Sequence, residues 1–313
     1  MSVLIIPFLC ILIGAVINWK GLPGPVVRAF DWVMNIALIV MMSVIGLNIG
    51  TSDTVMNNLG KIGINALLIT LISIAVSVVL VLILEKTVVP LDKVKDAGDE
   101  NVIKVDTSKS SFSPLIIIMP GAIILGIALG YFVIPDISHD VIDKLLNVSL
   151  VLLYLSVGVS IASNKAVFGY VKKLGFRILL MPVVIFIGCF VGGIISGLIL
   201  GVPVPVSLIS ATGMGYYSLT GAYMTEMMGV EAGTYGFIVN VSRDVFTVVL
   251  IPVLSRISKG APIASGAGGC MDTMLVPVTK AIGIELSMVA FLVGTIITLM
   301  VPVWLPFAIM MFG

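Results

Sequence analysis

Residues 207–221 read SLISATGMGYYSLTG, a run of glycines, hydroxyls and aromatic rings within a mostly apolar chain. Glycine weakens the interior of a helix, so this run predicts an interrupted segment rather than one continuous helix. If it lies in a membrane, its irregular backbone must be satisfied by protein or by a water-filled cavity. The run therefore marks a candidate cavity. The alternative is close helix packing through small residues.

The surrounding chain has the composition of a membrane protein. Its 313 residues are 59% hydrophobic and only 11% charged, whereas a soluble domain carries about 25% charged residues. The net charge of +1 provides no basic surface for nucleic acid. The three cysteines are far apart and lack metal-ligand spacing. We therefore expect an all-α polytopic membrane protein in contact with the bilayer, with no nucleic-acid partner, bound metal or cofactor.

Eight stretches approach the roughly 20 mostly apolar residues that a spanning helix needs. The first lacks a basic start and a cleavage site, so we interpret it as a retained helix rather than a signal peptide. Two further stretches, 204–228 and 261–281, are apolar but interrupted by Gly, Ser and Thr. The eight predicted spans are 2–19, 29–50, 62–84, 113–134, 145–162, 177–200, 235–255 and 284–312.

The distribution of basic residues orients the bundle. With the N-terminus outside, 13 of the 17 basic residues fall in inner loops. This bias holds only if 204–228 returns to the outer side and 261–281 returns to the inner side. Both segments are then re-entrant hairpins or broken helices. The predicted location is a prokaryotic plasma membrane, with both termini outside.

An internal repeat appears when the sequence is shifted by 112 residues. Each copy contains three spans, so the second copy must be inverted in the membrane, an arrangement typical of secondary transporters. A weaker match pairs 211–215 with 264–268. We divide the chain into repeat units 1–85 and 113–200, a polar cytoplasmic linker 86–112, and a binding region 201–313. Under the shift, Gly14, Asp31, Asn35 and Gly46 fall on Gly126, Asp143, Asn147 and Gly158.

An ionisable pair lies near the middle of the span 235–255. Burying a charge in a bilayer costs about 2.5–3.5 kcal/mol at a helix centre, so Asp244 and its neighbour Arg243 need a reason to be there. Asn240 shares a helix face with Asp244, and an ammonium group, sodium or a proton could visit that face. The alternative is a structural ion pair.

Three more acids are candidates. Asp272 follows the glycines of the second interrupted segment and is either a cation ligand or a hairpin-tip residue facing the cytoplasm. Glu226 ends the first interrupted segment and is either its outer counterpart or a solvated residue. Asp53 closes the second span and is either functional or part of a polar helix end.

A cationic amino acid would need carboxylates for its positively charged groups and backbone N–H groups for its own carboxylate. The interrupted segments and the intramembrane acids supply both kinds of group. The candidate substrate-binding residues of the first segment are Gly213, Gly215, Tyr216, Tyr217, Ser218 and Thr220.

The chain resembles the LysO-type lysine exporters, most clearly over residues 205–311. The stretches that carry the resemblance are 211–221, Thr225-Glu226, Ser242-Arg243-Asp244 with Leu250-Ile251-Pro252, Gly268 to Asp272, and 274–278. The resemblance implies export of lysine and toxic lysine analogues through essential intramembrane acids, which fall here on Asp244 and Asp53. The family position of Asp244 can be Glu, so this chain has the shorter acid.

The expected function is secondary active export of L-lysine by proton or sodium antiport. A homodimer is left open. The alternatives are an uptake carrier, a transporter for arginine or an organic acid, a channel, and an intramembrane aspartyl-type enzyme using Asp244 and Asp272. The excess of intramembrane acids over bases favours a cationic substrate.

Overall fold

The computed structural model describes residues 2–18, 22–91, 115–134, 139–163 and 175–313. Throughout these ranges the regular structure is helical. Most of the predicted linker 86–112 lies outside the described residues, as do the side chains of the repeat mates Asp31 and Asp143.

A long helix coincides with each of the eight predicted spans. Five of these helices are long and apolar enough to cross a bilayer, and shorter apolar stretches occupy Gly121–Phe132 and Lys144–Ser156. The protein is therefore a polytopic membrane protein. The long helices are α1 (Ser2–Ile17), α2 (Gly24–Gly50), α3 (Asp53–Thr87), α4 (Leu115–Phe132), α5 (His139–Ser163), α6 (Leu180–Leu200), α9 (Val230–Ile257) and α12 (Ser287–Phe312).

Some helices extend beyond the apolar stretches. Helix α3 starts at Asp53 rather than at residue 62, because the Ser52 hydroxyl accepts the Val55 N–H (3.5 Å) and caps the helix. Helix α9 likewise starts at Val230 rather than at residue 235. Hydropathy locates the bilayer core but does not detect polar turns that continue a helix outside it.

Both glycine-rich segments are broken into two short helices. Hairpin 1 comprises α7 (Val204–Ala211) and α8 (Tyr217–Met228). Hairpin 2 comprises α10 (Gly260–Gly266), a 3₁₀ turn (Ala267–Met271) and α11 (Leu275–Ile282).

Both ends of hairpin 1 lie at the same end of the bundle. Helices α3 and α6 are antiparallel, because Ser77 packs on Gly188 while Ser73 packs on Gly192. Helices α3 and α9 are parallel, because Asn65 donates to the Tyr235 hydroxyl (3.3 Å) while the Thr70 hydroxyl donates to the Val239 carbonyl (2.9 Å). The end of α6 and the start of α9 are therefore neighbours, and hairpin 1 connects them.

Hairpin 2 begins and ends at the opposite end of the bundle. Its first N–H, on Gly260, donates to the Glu85 carboxylate near the end of α3 (3.1 Å). Helix α12 runs parallel to α6, because Trp304 packs on Phe186 while Phe312 packs on Phe190. Helix α12 therefore starts where α9 ends. The hairpin tips meet between these two ends, where the Gly268 N–H donates to the Met214 carbonyl (3.0 Å).

The helices form two groups by packing. The four-helix group contains α1, α2, α4 and α5, and the hairpin group contains α3, α6, α9, α12 and both hairpins. Packing within each group is more extensive than packing between them. One contact across the boundary is the edge-to-face pair of Tyr154 and Tyr223, with ring centroids 6.0 Å apart.

Glycines bring helices of the four-helix group into backbone contact. Gly14 of α1 packs on Gly158 of α5, and Gly46 of α2 packs on Gly126 of α4. A Cβ at Gly46 would overlap the Ile123 carbonyl, so these crossings require glycine. The 112-residue shift places Gly14 on Gly126 and Gly46 on Gly158. Each contact therefore joins one glycine from each copy of the repeat, and the two contacts are equivalent under the shift.

Candidate functional site

The two hairpin tips have similarly irregular backbones. Met214 (φ 49°) and Ala267 (φ 43°) occupy the positive-φ region that side chains disfavour, and Gly215 (φ 95°) follows Met214. Strained residues of this kind persist where surrounding contacts hold them, and they cluster at functional sites.

Asn240 fastens hairpin 1 to α9. Its Oδ1 accepts the Gly215 N–H (2.8 Å), and its Nδ2 donates to the carbonyls of Ser210 (2.8 Å) and Gly236 (2.7 Å). The side chain is buried. These hydrogen bonds join the two sides of the break in hairpin 1, so the amide positions the tip.

Arg243 fastens hairpin 2 in the same way. Its Nε donates to the Ser265 carbonyl (2.8 Å), Nη2 to the Ala264 carbonyl (2.9 Å) and Nη1 to the Cys189 sulfur (3.2 Å). The first two acceptors are in the last turn of α10, where carbonyls lack helical partners. The guanidinium is buried, with 2% of the residue exposed, and it stabilises the negative end of this short helix.

Thr273 contacts both acids of the site. Its hydroxyl donates to Asp244 Oδ2 (3.0 Å), and its backbone N–H donates to the carboxylate of Asp272. Asp244 is buried, with 6% of the residue exposed, and its Oδ1 has no hydrogen-bond partner among the described residues. Asp272 is exposed. Asp244 therefore has a carboxylate oxygen that can receive a ligand.

A cavity of about 150 Å³ lies between the hairpin tips and α2. An engineered cavity of about this volume holds one benzene molecule, so the space suits a small solute. Hairpin residues form most of its wall, with Asp244 from α9, Thr298 from α12, and Met34 and Leu38 from α2. The hairpin residues are Gly215, Tyr216, Tyr217, Ser218, Gly268, Gly269, Met271, Asp272 and Thr273.

Six of the twelve predicted site residues line this cavity: Gly215, Tyr216, Tyr217, Ser218, Asp244 and Asp272. Asn240 and Arg243 lie behind it and hold the hairpins. Gly213 packs against Asn240, and the Thr220 hydroxyl donates to the Tyr216 carbonyl (2.8 Å). These four residues support the tips from outside the cavity wall.

The other two predicted acids lie away from the cavity wall. Asp53 is exposed in the first turn of α3, where a negative charge suits the helix N-terminus. Glu226 accepts a hydrogen bond from Asn147 of α5 (2.9 Å), across the boundary between the two helix groups.

Sequence reasoning missed seven residues of the wall: Met34, Leu38, Gly268, Gly269, Met271, Thr273 and Thr298. Met34 and Leu38 belong to an ordinary apolar span, so no local signal distinguishes them. Thr273 had a signal, because it directly follows Asp272 in the interrupted segment.

The start of α8 also faces the cavity. Tyr216, Tyr217 and Ser218 line the cavity, and no side chain in the described part of the chain caps this helix terminus. The first N–H groups of a helix lack helical partners and attract anions. The cavity wall therefore combines the start of a helix with two carboxylates.

The family model described as "Lysine exporter LysO" matches residues 121–309 of the chain. The chain belongs to the lysine exporter LysO family. The resemblance seen in 211–221 and in Ser242-Arg243-Asp244 is thereby confirmed. Members of this family are transporters rather than enzymes, so the aspartyl-type enzyme is set aside.

Two curated relatives are similar to the chain. "Lysine exporter LysO" of Escherichia coli (strain K12) is 28% identical over 187 residues, which cover 60% of this chain and 62% of that protein. The "Putative lysine exporter" of Haemophilus influenzae is 28% identical over 186 residues, which cover 59% of this chain and 94% of that protein. The matched region thus spans less than two thirds of the E. coli relative. No solved structure matches the chain.

Proposed function

We propose that this LysO-family protein exports L-lysine and toxic lysine analogues from the cytoplasm by antiport against protons or sodium. The observation that carries the proposal is the cavity between the hairpin tips, which places the Asp244 and Asp272 carboxylates beside an uncapped helix start. An organic acid would meet two like charges there, whereas a cationic amino acid meets complementary groups.

Each part of lysine has a complementary group in the cavity. The substrate carboxylate binds the first N–H groups of α8, near Tyr217 and Ser218. One ammonium binds at Asp244 and the other at the more accessible Asp272. The methylene chain packs against the apolar side chains Met34 and Leu38, which α2 contributes.

The position of the cavity supports alternating access. One wall belongs to α2 of the four-helix group and the others belong to the hairpin group. Because the two groups pack less extensively on each other than within themselves, the hairpin group moves as a unit past α2. This motion opens the cavity first to one side of the membrane and then to the other.

One set of contacts and one backbone feature support inverted repeats. The Gly14–Gly158 and Gly46–Gly126 crossings exchange under the 112-residue shift. The positive-φ residues Met214 and Ala267 occupy equivalent positions in the match between 211–215 and 264–268. We infer re-entrant hairpins that enter from opposite sides of a prokaryotic plasma membrane, with both termini outside. The division into units at 85, 112 and 200 and the homodimer stay predictions.

Counterflow of labelled lysine in proteoliposomes tests the function. Asp244→Asn and Asp272→Asn should each reduce counterflow, whereas Glu231→Gln should not, because Glu231 is an exposed acid at the start of the same helix as Asp244. Unlabelled arginine and an organic acid serve as competitors. Lysine counterflow no faster than in empty vesicles would contradict the substrate, and normal counterflow in both Asp variants would contradict the site.

A further inference from the structure

Asp244 Oδ1 is the starting point, because it is a buried acceptor without a hydrogen-bond partner among the described residues. The nearest strong positive charge in sequence, Arg243, directs its donors to two carbonyls and the Cys189 sulfur instead. A buried acceptor left unsatisfied costs about 1–3 kcal/mol, and more when it is charged. This atom therefore needs a ligand.

Two glycines leave space beside this oxygen. A Cβ at Gly269 would lie 2.9 Å from Asp244 Oδ1, 3.0 Å from Met274 Cγ and 3.1 Å from Thr273 Oγ1. A Cβ at Gly215 would lie 3.7 Å from Oδ1 and 3.8 Å from the Gly266 carbonyl, with the Gly269 nitrogen at 3.5 Å. Asp244 Oδ1 and the Thr273 hydroxyl, in the turn before α11, flank the first position, whereas Asp244 Oδ1 and the Gly266 carbonyl of α10 flank the second. Three oxygens thus line the gap beside Asp244 Oδ1.

The chemistry of this gap suits a small hard cation. Carboxylate, carbonyl and hydroxyl oxygens are the ligands that such ions prefer, at about 2.4 Å. Unwound backbone and the C-terminal ends of half-helices coordinate sodium in other transporters, and Gly266 is the last residue of α10.

We propose that Na⁺ binds at the junction of the hairpin tips, held by Asp244 Oδ1, Thr273 Oγ1 and the Gly266 carbonyl. A single carboxylate with two neutral oxygens balances one positive charge, so the ion is monovalent. The inference rests on the proposed function in one respect: it makes sodium the coupling ion of lysine antiport. Lysine's ammonium and Na⁺ then compete for Asp244, which links export of one to entry of the other.

Thermal unfolding of the purified protein in detergent, titrated with NaCl against KCl and choline chloride, tests the site. Na⁺ should raise the unfolding midpoint in a concentration-dependent way, and the other salts should not. Asp244→Asn should abolish the response. Gly269→Ala should abolish it as well, whereas Gly63→Ala should keep it, because a Cβ at Gly63 meets open space.

Thr273 provides a variant with little change in shape. Thr273→Val should raise the Na⁺ concentration for half-maximal response about tenfold or more, and Thr273→Ser should restore it. Equal shifts with all three salts, or a Na⁺-specific shift that survives Asp244→Asn, would overturn the proposal. So would stabilisation by lowered pH alone, which would assign the site to a proton.

A second measurement separates this inference from the proposed function. Lysine counterflow without a Na⁺-specific shift would refute the sodium site and leave lysine transport standing. A Na⁺-specific shift without lysine counterflow would refute the substrate and leave the ion site standing.

Discussion

Replacing Arg243 with Met should destabilise the protein by loosening hairpin 2. The change keeps an unbranched, buried side chain but removes the donors to Ser265 O, Ala264 O and the Cys189 sulfur. The two carbonyls are buried, and each orphaned acceptor costs about 1–3 kcal/mol. We expect a loss on the order of 2–6 kcal/mol for the pair.

Two readouts check this prediction. Denaturant unfolding in micelles gives the free energy of unfolding, and hydrogen exchange reports the local opening of residues 267–274. Arg256→Met is the matched control, because Arg256 is exposed near the end of the same helix and should change stability by no more than about 0.5 kcal/mol. Unchanged stability with unchanged exchange in hairpin 2 would refute the role of Arg243 as its clamp.

Two further substitutions probe strain and burial. Ala267→Gly should stabilise the protein by about 1 kcal/mol in thermal unfolding, because φ 43° suits glycine. The control Ala264→Gly lies in regular helix and should destabilise the protein by about as much. If both substitutions changed the stability in the same direction, backbone strain at Ala267 would be refuted. Tyr223→Phe removes a buried hydroxyl without a hydrogen-bond partner among the described residues and should stabilise by about 1 kcal/mol. Tyr235→Phe, which loses the hydrogen bond from Asn65 (3.3 Å), should destabilise; a loss of stability in Tyr223→Phe would reveal a partner for that hydroxyl.

The spans could be predicted from the sequence because a bilayer demands about 20 apolar residues per crossing. The breaks in 207–221 and 261–281 could be predicted for a related reason, since glycine and hydroxyl residues are out of place in a continuous apolar helix. The start of α3 at Asp53 could not be predicted from hydropathy, because its first turns are stabilised by a cap rather than by lipid.

The site was only partly predictable because polar residues have two uses. Asn240 and Asp244 share a face of α9. Asn240 uses its hydrogen bonds to hold the backbone of hairpin 1, whereas Asp244 Oδ1 has no hydrogen-bond partner within the described ranges. The sequence cannot distinguish these uses, since each depends on a partner from another segment. For the same reason, the sequence could not predict that Met34 and Leu38 line the cavity.

Lysine should bind in the cavity between the hairpin tips and α2. The most direct test is maleimide labelling of Met34→Cys, which lies in the cavity wall, in a protein whose native cysteines are buried. We predict that lysine slows this labelling and leaves unchanged the labelling of Lys61→Cys, an exposed position on α3. Labelling of Met34→Cys at the same rate with and without saturating lysine would show that lysine does not bind in this cavity.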